Sequence, residues 1–318
     1  MTNKIYILLF AAIFANLVFL NYTNYFSGNK AVPSATNTAA IQNSSSEVTL
    51  PSVMPKAVEE PVIGDDQVFT ATSATETRGE TVLYKDGDVT LSGYWVPANC
   101  NPGDKKKPTV IIIHQWRGMR QFEMGRADAI SDSCYNAFAL SMYPGNVFIS
   151  SRAEAERESK KFHDADLRLS RIKAAVDYVK SRDDVDPANI AMIGYTFGGS
   201  MVLSYARHGA DIKGVVAFHS SLRETMDPSY YNDIKAAIRV FEGGKTRFAE
   251  KDAVDKFKQE MAEKNVDAQV VIYPDAYYNF TDPAAGENPS DDGEAYSREA
   301  AEKSWAATLE FFKQIFGK

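Results

Sequence analysis

The sequence predicts an α/β domain: a mostly parallel sheet of about eight strands with helices on both faces. Three observations carry this. Val110-Ile111-Ile112-Ile113 is a short unbroken apolar run, as expected of a strand covered on both faces. Strand-like runs alternate with helical periods along most of the chain, the pattern of crossover connections. The apolar run Ile190-Ala191-Met192-Ile193 leads through Gly194-Tyr195-Thr196-Phe197-Gly198-Gly199 into a small-residue helix ending near Arg207. That is a buried strand, a sharp turn with glycines on both sides, and a helix packed close behind it.

The elements follow in order. Thr81 to Tyr84 and Val89 to Val96 flank Asp86-Gly87-Asp88, a hairpin signal. Phe122 to Ser133 reads as helix, and Ala137 to Met142 as the next strand after Val110–Ile113. A long helix begins near Asp164, with Leu169, Ile172, Val176 and Val179 on one face. Asp186-Pro187 ends that connection and leads to the glycine turn. Val215 to Phe218, Ile238 to Phe241 and Gln269 to Tyr273 are three further strands. Val254, Phe257 and Met261 mark a helix between the last two, and Trp305, Leu309, Phe312 and Phe316 mark the closing one.

Composition sets the limits. The chain has 318 residues, 44% hydrophobic and 24% charged, ordinary for a globular protein. A net charge of -7 argues against a nucleic-acid partner. The two cysteines, Cys100 and Cys134, are too few for a disulfide scaffold. They could pair in an oxidising compartment, but nothing in the sequence sets their distance.

Residues 1–26 read as a signal anchor or a signal peptide. Ile5 to Leu20 is apolar except for Asn16, a little short of the ~20 residues of a relaxed spanning helix. Asn21-Tyr22-Thr23-Asn24-Tyr25-Phe26 is a poor cleavage site, which favours the uncleaved anchor. Residues 27–64 are rich in Ser, Thr, Ala, Asn and Pro without apolar period, and read as a flexible tether. Residues 65–318 then form one domain, membrane-anchored and extracytoplasmic.

The turn around Thr196 has the shape of a nucleophile elbow, with Thr where an active enzyme carries Ser or Cys. The chain has four histidines. His114 is read as orienting its loop, His219 as packing at a strand end, His163 and His208 as solvated. None has metal-ligand spacing to another His or to Cys, so no metal or other cofactor is expected.

At these residues the chain resembles the dienelactone hydrolase family, a branch of the α/β-hydrolases. Gly194-Tyr195-Thr196-Phe197-Gly198-Gly199 resembles that family's Gly-x-Cys-x-Gly-Gly elbow. His114-Gln115-Trp116-Arg117-Gly118 resembles its His-Glu-x-x-Gly loop. Gly214 to His219 resembles the strand after the elbow helix, and Tyr273 to Pro283 the segment of the catalytic His. Ala295-Tyr296 and Ser304-Trp305 resemble its closing helix. The resemblance covers about residues 78–316 and implies an α/β-hydrolase fold with a Cys-His-Asp triad acting on esters or lactones.

The departures fall on the machinery. By resemblance the nucleophile falls on Thr196, the acid on Thr246 and the base on Tyr278, while the Glu of the loop falls on Gln115. Leu140-Ser141 replaces a Pro-Asp pair. A nucleophile needs a base, and the base an orienting carboxylate. A Tyr with an unperturbed pKa near ~10 is a poor base at neutral pH. The backbone oxyanion hole, implied at Trp116 and Phe197, needs no particular side chain and survives these changes.

Gln115, Arg117, Tyr195 and Tyr277 are the further pocket candidates, in an aromatic set with Trp116, Tyr143, Phe197 and Tyr278. Either these residues fill the old pocket, or they line a cleft for a small apolar or aromatic carboxylate, with Arg117 or Arg247 as its counter-ion. Three functions stay open. One is a catalytically impaired, tethered homologue that binds a ligand or a protein partner. Another is a weak or altered ester or lactone hydrolase using Thr196. The third is a structural envelope component.

Overall fold

The computed structural model describes residues 78–100, 106–145, 148–223, 227–246 and 250–317. The expected anchor (1–26) and tether (27–64), and Arg247, lie outside the described residues.

Eight strands form one sheet: β1 (Glu80–Asp86), β2 (Val89–Val96), β3 (Lys107–Ile113), β4 (Asn136–Leu140), β5 (Val185–Tyr195), β6 (Gly214–Phe218), β7 (Ala237–Gly243) and β8 (Ala268–Tyr273). Their order is β1-β2-β4-β3-β5-β6-β7-β8. The β1/β2 and β2/β4 pairs are antiparallel and the other five are parallel. This is the expected mostly parallel sheet. The helices are α1 (Gln121–Asp132), α2 (Arg152–Lys160), α3 (Ala165–Lys180), α4 (Phe197–Arg207), α5 (Lys251–Glu263) and α6 (Arg298–Phe316).

Strand parity divides the core into two layers. Ile111, Ile113, Ile190, Met192, Val215 and Val240 face Leu169, Ile172 and Val176 of α3, Val202 of α4 and Phe257 of α5. Val110, Ile112, Ala191, Ile193, Val216 and Phe218 face Ile130 of α1 and Phe311 and Phe312 of α6. Both faces of the parallel strands are therefore apolar, which explains their unbroken runs.

Two local differences from the sequence reading have physical causes. Asp186-Pro187 lies inside β5 rather than before it, where the pairing register with β3 shifts between Lys107 and Thr109. An irregularity of that kind tolerates a proline that cannot donate to the ladder. Helix α2 has no apolar period, because only Ala155 is buried. Its support is local: Ser151 Oγ accepts from Glu154 N at 3.3 Å, and Lys160 pairs with Glu156 at 2.6 Å.

Cys100 and Cys134 form a disulfide, with Cα atoms 5.3 Å apart. It ties the segment after β2 to the turn between α1 and β4.

Candidate functional site

Thr196 stands between β5 and α4 with φ 52° and ψ -108°. A β-branched residue at positive φ is strained, and the surroundings must hold it there. Close packing does so. A Cβ on Gly194 would come within 2.1 Å of Gly198 O, and one on Gly198 within 2.3 Å of Ile113 O. The strand, the turn and the helix thus approach at backbone distance, as the glycine pattern predicted. Thr196 N donates to Phe218 O at 3.0 Å, and Thr196 O accepts from Ser200 N at 3.2 Å. The Thr196 side chain is buried, and its Oγ1 has no hydrogen-bond partner.

Phe197 opens α4, and Trp116 lies in the loop after β3. Among the described residues, neither Trp116 N nor Phe197 N donates a hydrogen bond. Both rings line a cavity of about 250 Å³ together with Tyr278, Arg152, Ser159, Asp292 and Glu294. Tyr278 lies in the segment after β8, Thr246 in the turn after β7 and Thr196 at the end of β5. Thr196, Thr246 and Tyr278 therefore share the carboxyl edge of the sheet. Of the three, only Tyr278 reaches the cavity wall; Thr246 is half-buried and absent from the lining.

The remaining pocket candidates are placed as follows. Tyr195 is in the core, stacked on Phe218 at 4.9 Å between ring centroids, because strand parity turns it away from the cavity edge. Gln115 is buried, its backbone N donating to Glu123 Oε1 and its Nε2 to Asp282 Oδ2, each at 3.3 Å. Arg117 lies over the Trp116 ring at 4.9 Å and donates to Ser150 O at 2.5 Å. Tyr277 carries Lys245 Nζ over its ring at 5.2 Å.

His114 is fully buried and positions the loop. Its Nδ1 faces Gln115 O at 2.5 Å, and Met142 N donates to its Nε2 at 3.0 Å. Burial lowers its pKa to about 4. His219 is also fully buried, with Nε2 2.9 Å from Thr281 Oγ1, and burial lowers its pKa to about 3. Both rings are neutral at pH 7.

The sequence reading took Thr196 and His219 separately and missed Glu242, which joins them in one row of polar residues. Tyr195, Phe218 and Phe241 pair on one rung of β5, β6 and β7. The next residues are Thr196, His219 and Glu242. Thr196 Oγ1, His219 Nδ1 and Glu242 Oε2 are all buried without a hydrogen-bond partner. Glu242 Oε1 accepts from Ser220 N at 2.9 Å, and burial raises its pKa well above the usual carboxyl range. The sequence marked only the apolar start of β7, so Glu242 carried no signal. Arg152, Ser159, Asp292 and Glu294 also came to the cavity unannounced. The first two lie on the aperiodic helix α2, and the last two in the acidic stretch Asp291-Asp292-Gly293-Glu294. Among the described residues, no group of three or more His, Cys, Asp or Glu could hold a metal ion.

This geometry agrees with what the chain is similar to. An uncharacterised protein of Caenorhabditis elegans is 35% identical over 150 residues, which is 46% of this chain and 92% of that protein. A protein of Escherichia coli (strain K12) named "Putative carboxymethylenebutenolidase" is 28% identical over 270 residues, 78% of this chain and 93% of that one. A crystal structure of a dienelactone hydrolase-like promiscuous phosphotriesterase from metagenomic libraries has a TM-score of 0.69 and 25% identity, covering 74% of this chain and 98% of its own. The profile of the Dienelactone hydrolase family matches residues 97–316, and with the elbow and sheet described above, the chain belongs to that family, within the α/β-hydrolase fold.

Proposed function

We propose that this protein is a catalytically impaired member of the family, exported and tethered, whose cleft binds a small aromatic or apolar carboxylate. The carrying observation is Thr196 Oγ1, buried without a hydrogen-bond partner in a strained elbow. A hydroxyl becomes a useful nucleophile only with a base in reach. The family positions for acid and base hold Thr246 and Tyr278. Positioned proton transfer contributes roughly 10²–10⁴-fold, and that contribution is missing here.

Ligand binding is supported by the cavity. Trp116 and Phe197 give it apolar walls, and the Arg152 guanidinium lies 5.8 Å from the Trp116 ring centroid. Arg152 pairs with Asp292 at 2.7 Å on the surface, and an exposed pair of this kind is easily exchanged for a ligand carboxylate. Arg117, by contrast, is engaged with the carbonyls of Ile149 and Ser150. Export is supported by the Cys100–Cys134 disulfide, a bond that persists in oxidising compartments.

The experiment combines a fluorophosphonate probe, an activated ester and titration with benzoate. The expected results are no labelling, ester hydrolysis within a few-fold of Thr196→Ala, and quenching of indole fluorescence that Trp116→Phe abolishes. The retained elbow strain and the undonated Trp116 and Phe197 N–H groups favour a second reading, weak hydrolysis through Thr196. Stoichiometric labelling lost in Thr196→Ala would establish that reading instead. Membrane fractionation of the full chain tests the tether, and soluble mature protein starting shortly after Leu20 would defeat it.

A further inference from the structure

The sheet ends in two open edges, β1 on one side and β8 on the other. The outward backbone groups of each edge follow from its pairing. Along β8, Asp267 O accepts from Ile238 N and Tyr273 O from Gly244 N, each at 2.7 Å. Backbone direction alternates along a strand, so Gln269 and Val271 also turn to β7. Ala268, Val270 and Ile272 therefore present their N–H and C=O groups at the free edge. In β1, the two-residue loop Gly87-Asp88 makes Asp86 and Val89 a hydrogen-bonded pair. Val82 and Tyr84 then turn to β2, and Thr81, Leu83 and Lys85 turn outward.

The two edges are guarded differently. An exposed edge is normally blunted by charge, proline or a bulge. The β1 edge carries Glu80, Lys85 and Asp86. The β8 edge reads Ala-Gln-Val-Val-Ile-Tyr, with no charge and no proline. None of its residues is buried, and Ile272 is 39% exposed. Among the described residues, no strand pairs with its outer side.

We propose that this edge pairs with β8 of a second copy of the chain, antiparallel across a twofold axis at Val270, joining the two eight-stranded sheets into one. The register centred on Val270 is the one that uses all three outward residues: Val270 meets its own copy, and Ala268 meets Ile272. On the side where Ala268 and Val270 pack toward α5, the large Ile272 then covers the small Ala268 of the second copy. On the opposite side Gln269 meets Val271. No charge enters the seam. The same symmetric pairing at β1 is centred on Leu83 and sets Glu80 against Asp86 twice, which is destabilising. Charge thus permits self-pairing at β8 and opposes it at β1. An isologous contact of this kind closes after two copies. It uses none of the residues that line the cleft under Trp116.

The test is sedimentation equilibrium of the full chain in mild detergent, on the parent, Ile272→Lys and Leu83→Lys, with circular dichroism to check the fold. The parent is expected to be a dimer. Ile272→Lys changes an exposed side chain and should weaken the dimer at least tenfold, because each lysine would lie in the apolar seam. Leu83→Lys should leave it unchanged. The native cysteines are joined to each other, so a spin label on Gln269→Cys is specific. The register puts the two labelled Cα atoms about 8 Å apart, so dipolar broadening is expected, and Ile272→Lys should remove it. Three outcomes would overturn the proposal. One is a monomer at the highest soluble concentration. Another is a dimer that lacks the broadening or survives Ile272→Lys. The third is open-ended oligomers that Leu83→Lys dissolves, the result of β1 pairing with β8.

Discussion

Arg120 and Asp282 meet at 2.6 Å, joining the loop that carries Trp116 to the segment that carries Tyr278. The same Asp282 oxygen accepts from Gln115 Nε2 at 3.3 Å, while its other oxygen accepts from Ala284 N at 2.9 Å. The Asp282 side chain is 3% exposed and that of Arg120 is 25% exposed. Removing one member of a fully buried pair costs about 3–5 kcal/mol. Because Arg120 keeps contact with water, Asp282→Asn is expected to cost less, about 2 kcal/mol. Urea unfolding measures this, and a loss below about 0.5 kcal/mol would reduce the pair to a surface contact.

Glu242 predicts a pH dependence. Its pKa is raised by burial, and the Ser220 N–H opposes that rise only in part. From its unfolded value near ~4.3 up to its folded value, the native state holds a proton that the unfolded state has released. The carboxyl therefore contributes full stability below ~4.3, and this contribution falls by about 1.4 kcal/mol per pH unit as pH rises through that window. His114 and His219, lowered to about 4 and about 3, act in the opposite sense, losing their contribution as pH falls below ~6.5. Comparing the parent with Glu242→Gln removes their effect. Between pH 5 and pH 8 the parent is expected to lose stability relative to the variant. Parallel stability curves would show that Glu242 titrates normally.

The disulfide closes a loop with a sequence separation of 34. Chain-entropy reasoning gives about 3 kcal/mol for 15 residues and about 4.7 for 100, so about 3.8 kcal/mol is expected here. Replacing both Cys100 and Cys134 by Ser should lower the urea midpoint, and a reducing agent should lower the parent to the same value. If the reductant leaves the midpoint unchanged, the bond is absent from the purified protein.

Backbone-determined features were legible in the sequence. Unbroken apolar runs marked the central parallel strands, Asp86-Gly87-Asp88 marked the β1/β2 hairpin, and Gly194, Gly198 and Gly199 marked the elbow, because only glycine permits that approach. His114 was legible as a loop-orienting residue from its place at the end of a strand. The polar parts of the cavity edge were not legible. Arg152 and Ser159 lie on α2, which is held by local ion pairs and so lacks the periodicity that marks a packed helix. Glu242 follows an apolar strand and is buried as a single polar residue, a feature no pattern announces. The Cys100–Cys134 distance depends on where α1 ends relative to β2, a tertiary relation beyond any spacing rule.

The last prediction is a restoration. Thr196, Thr246 and Tyr278 lie on three separate segments at the carboxyl edge of the sheet, after β5, β7 and β8. Tyr278 already lines the cavity, and its neighbour His219 holds it edge-on with ring centroids 5.5 Å apart. Tyr278→His shrinks the side chain and opens space toward the buried elbow. Thr196→Cys removes the β-branch from a strained position and supplies a better nucleophile. Thr246→Asp sits on a half-buried turn, where the new His offers a partner for its charge. Triad members act as a unit, so each single change should leave ester hydrolysis within a few-fold of the parent. The triple variant should be less stable, yet hydrolyse p-nitrophenyl acetate at least tenfold faster and bind the fluorophosphonate or iodoacetamide at position 196. Among the described residues neither Trp116 N nor Phe197 N donates a hydrogen bond, which is the reason to expect turnover in the triple variant and not only alkylation. A folded triple variant with no gain in hydrolysis would mean that the three positions do not converge on one substrate.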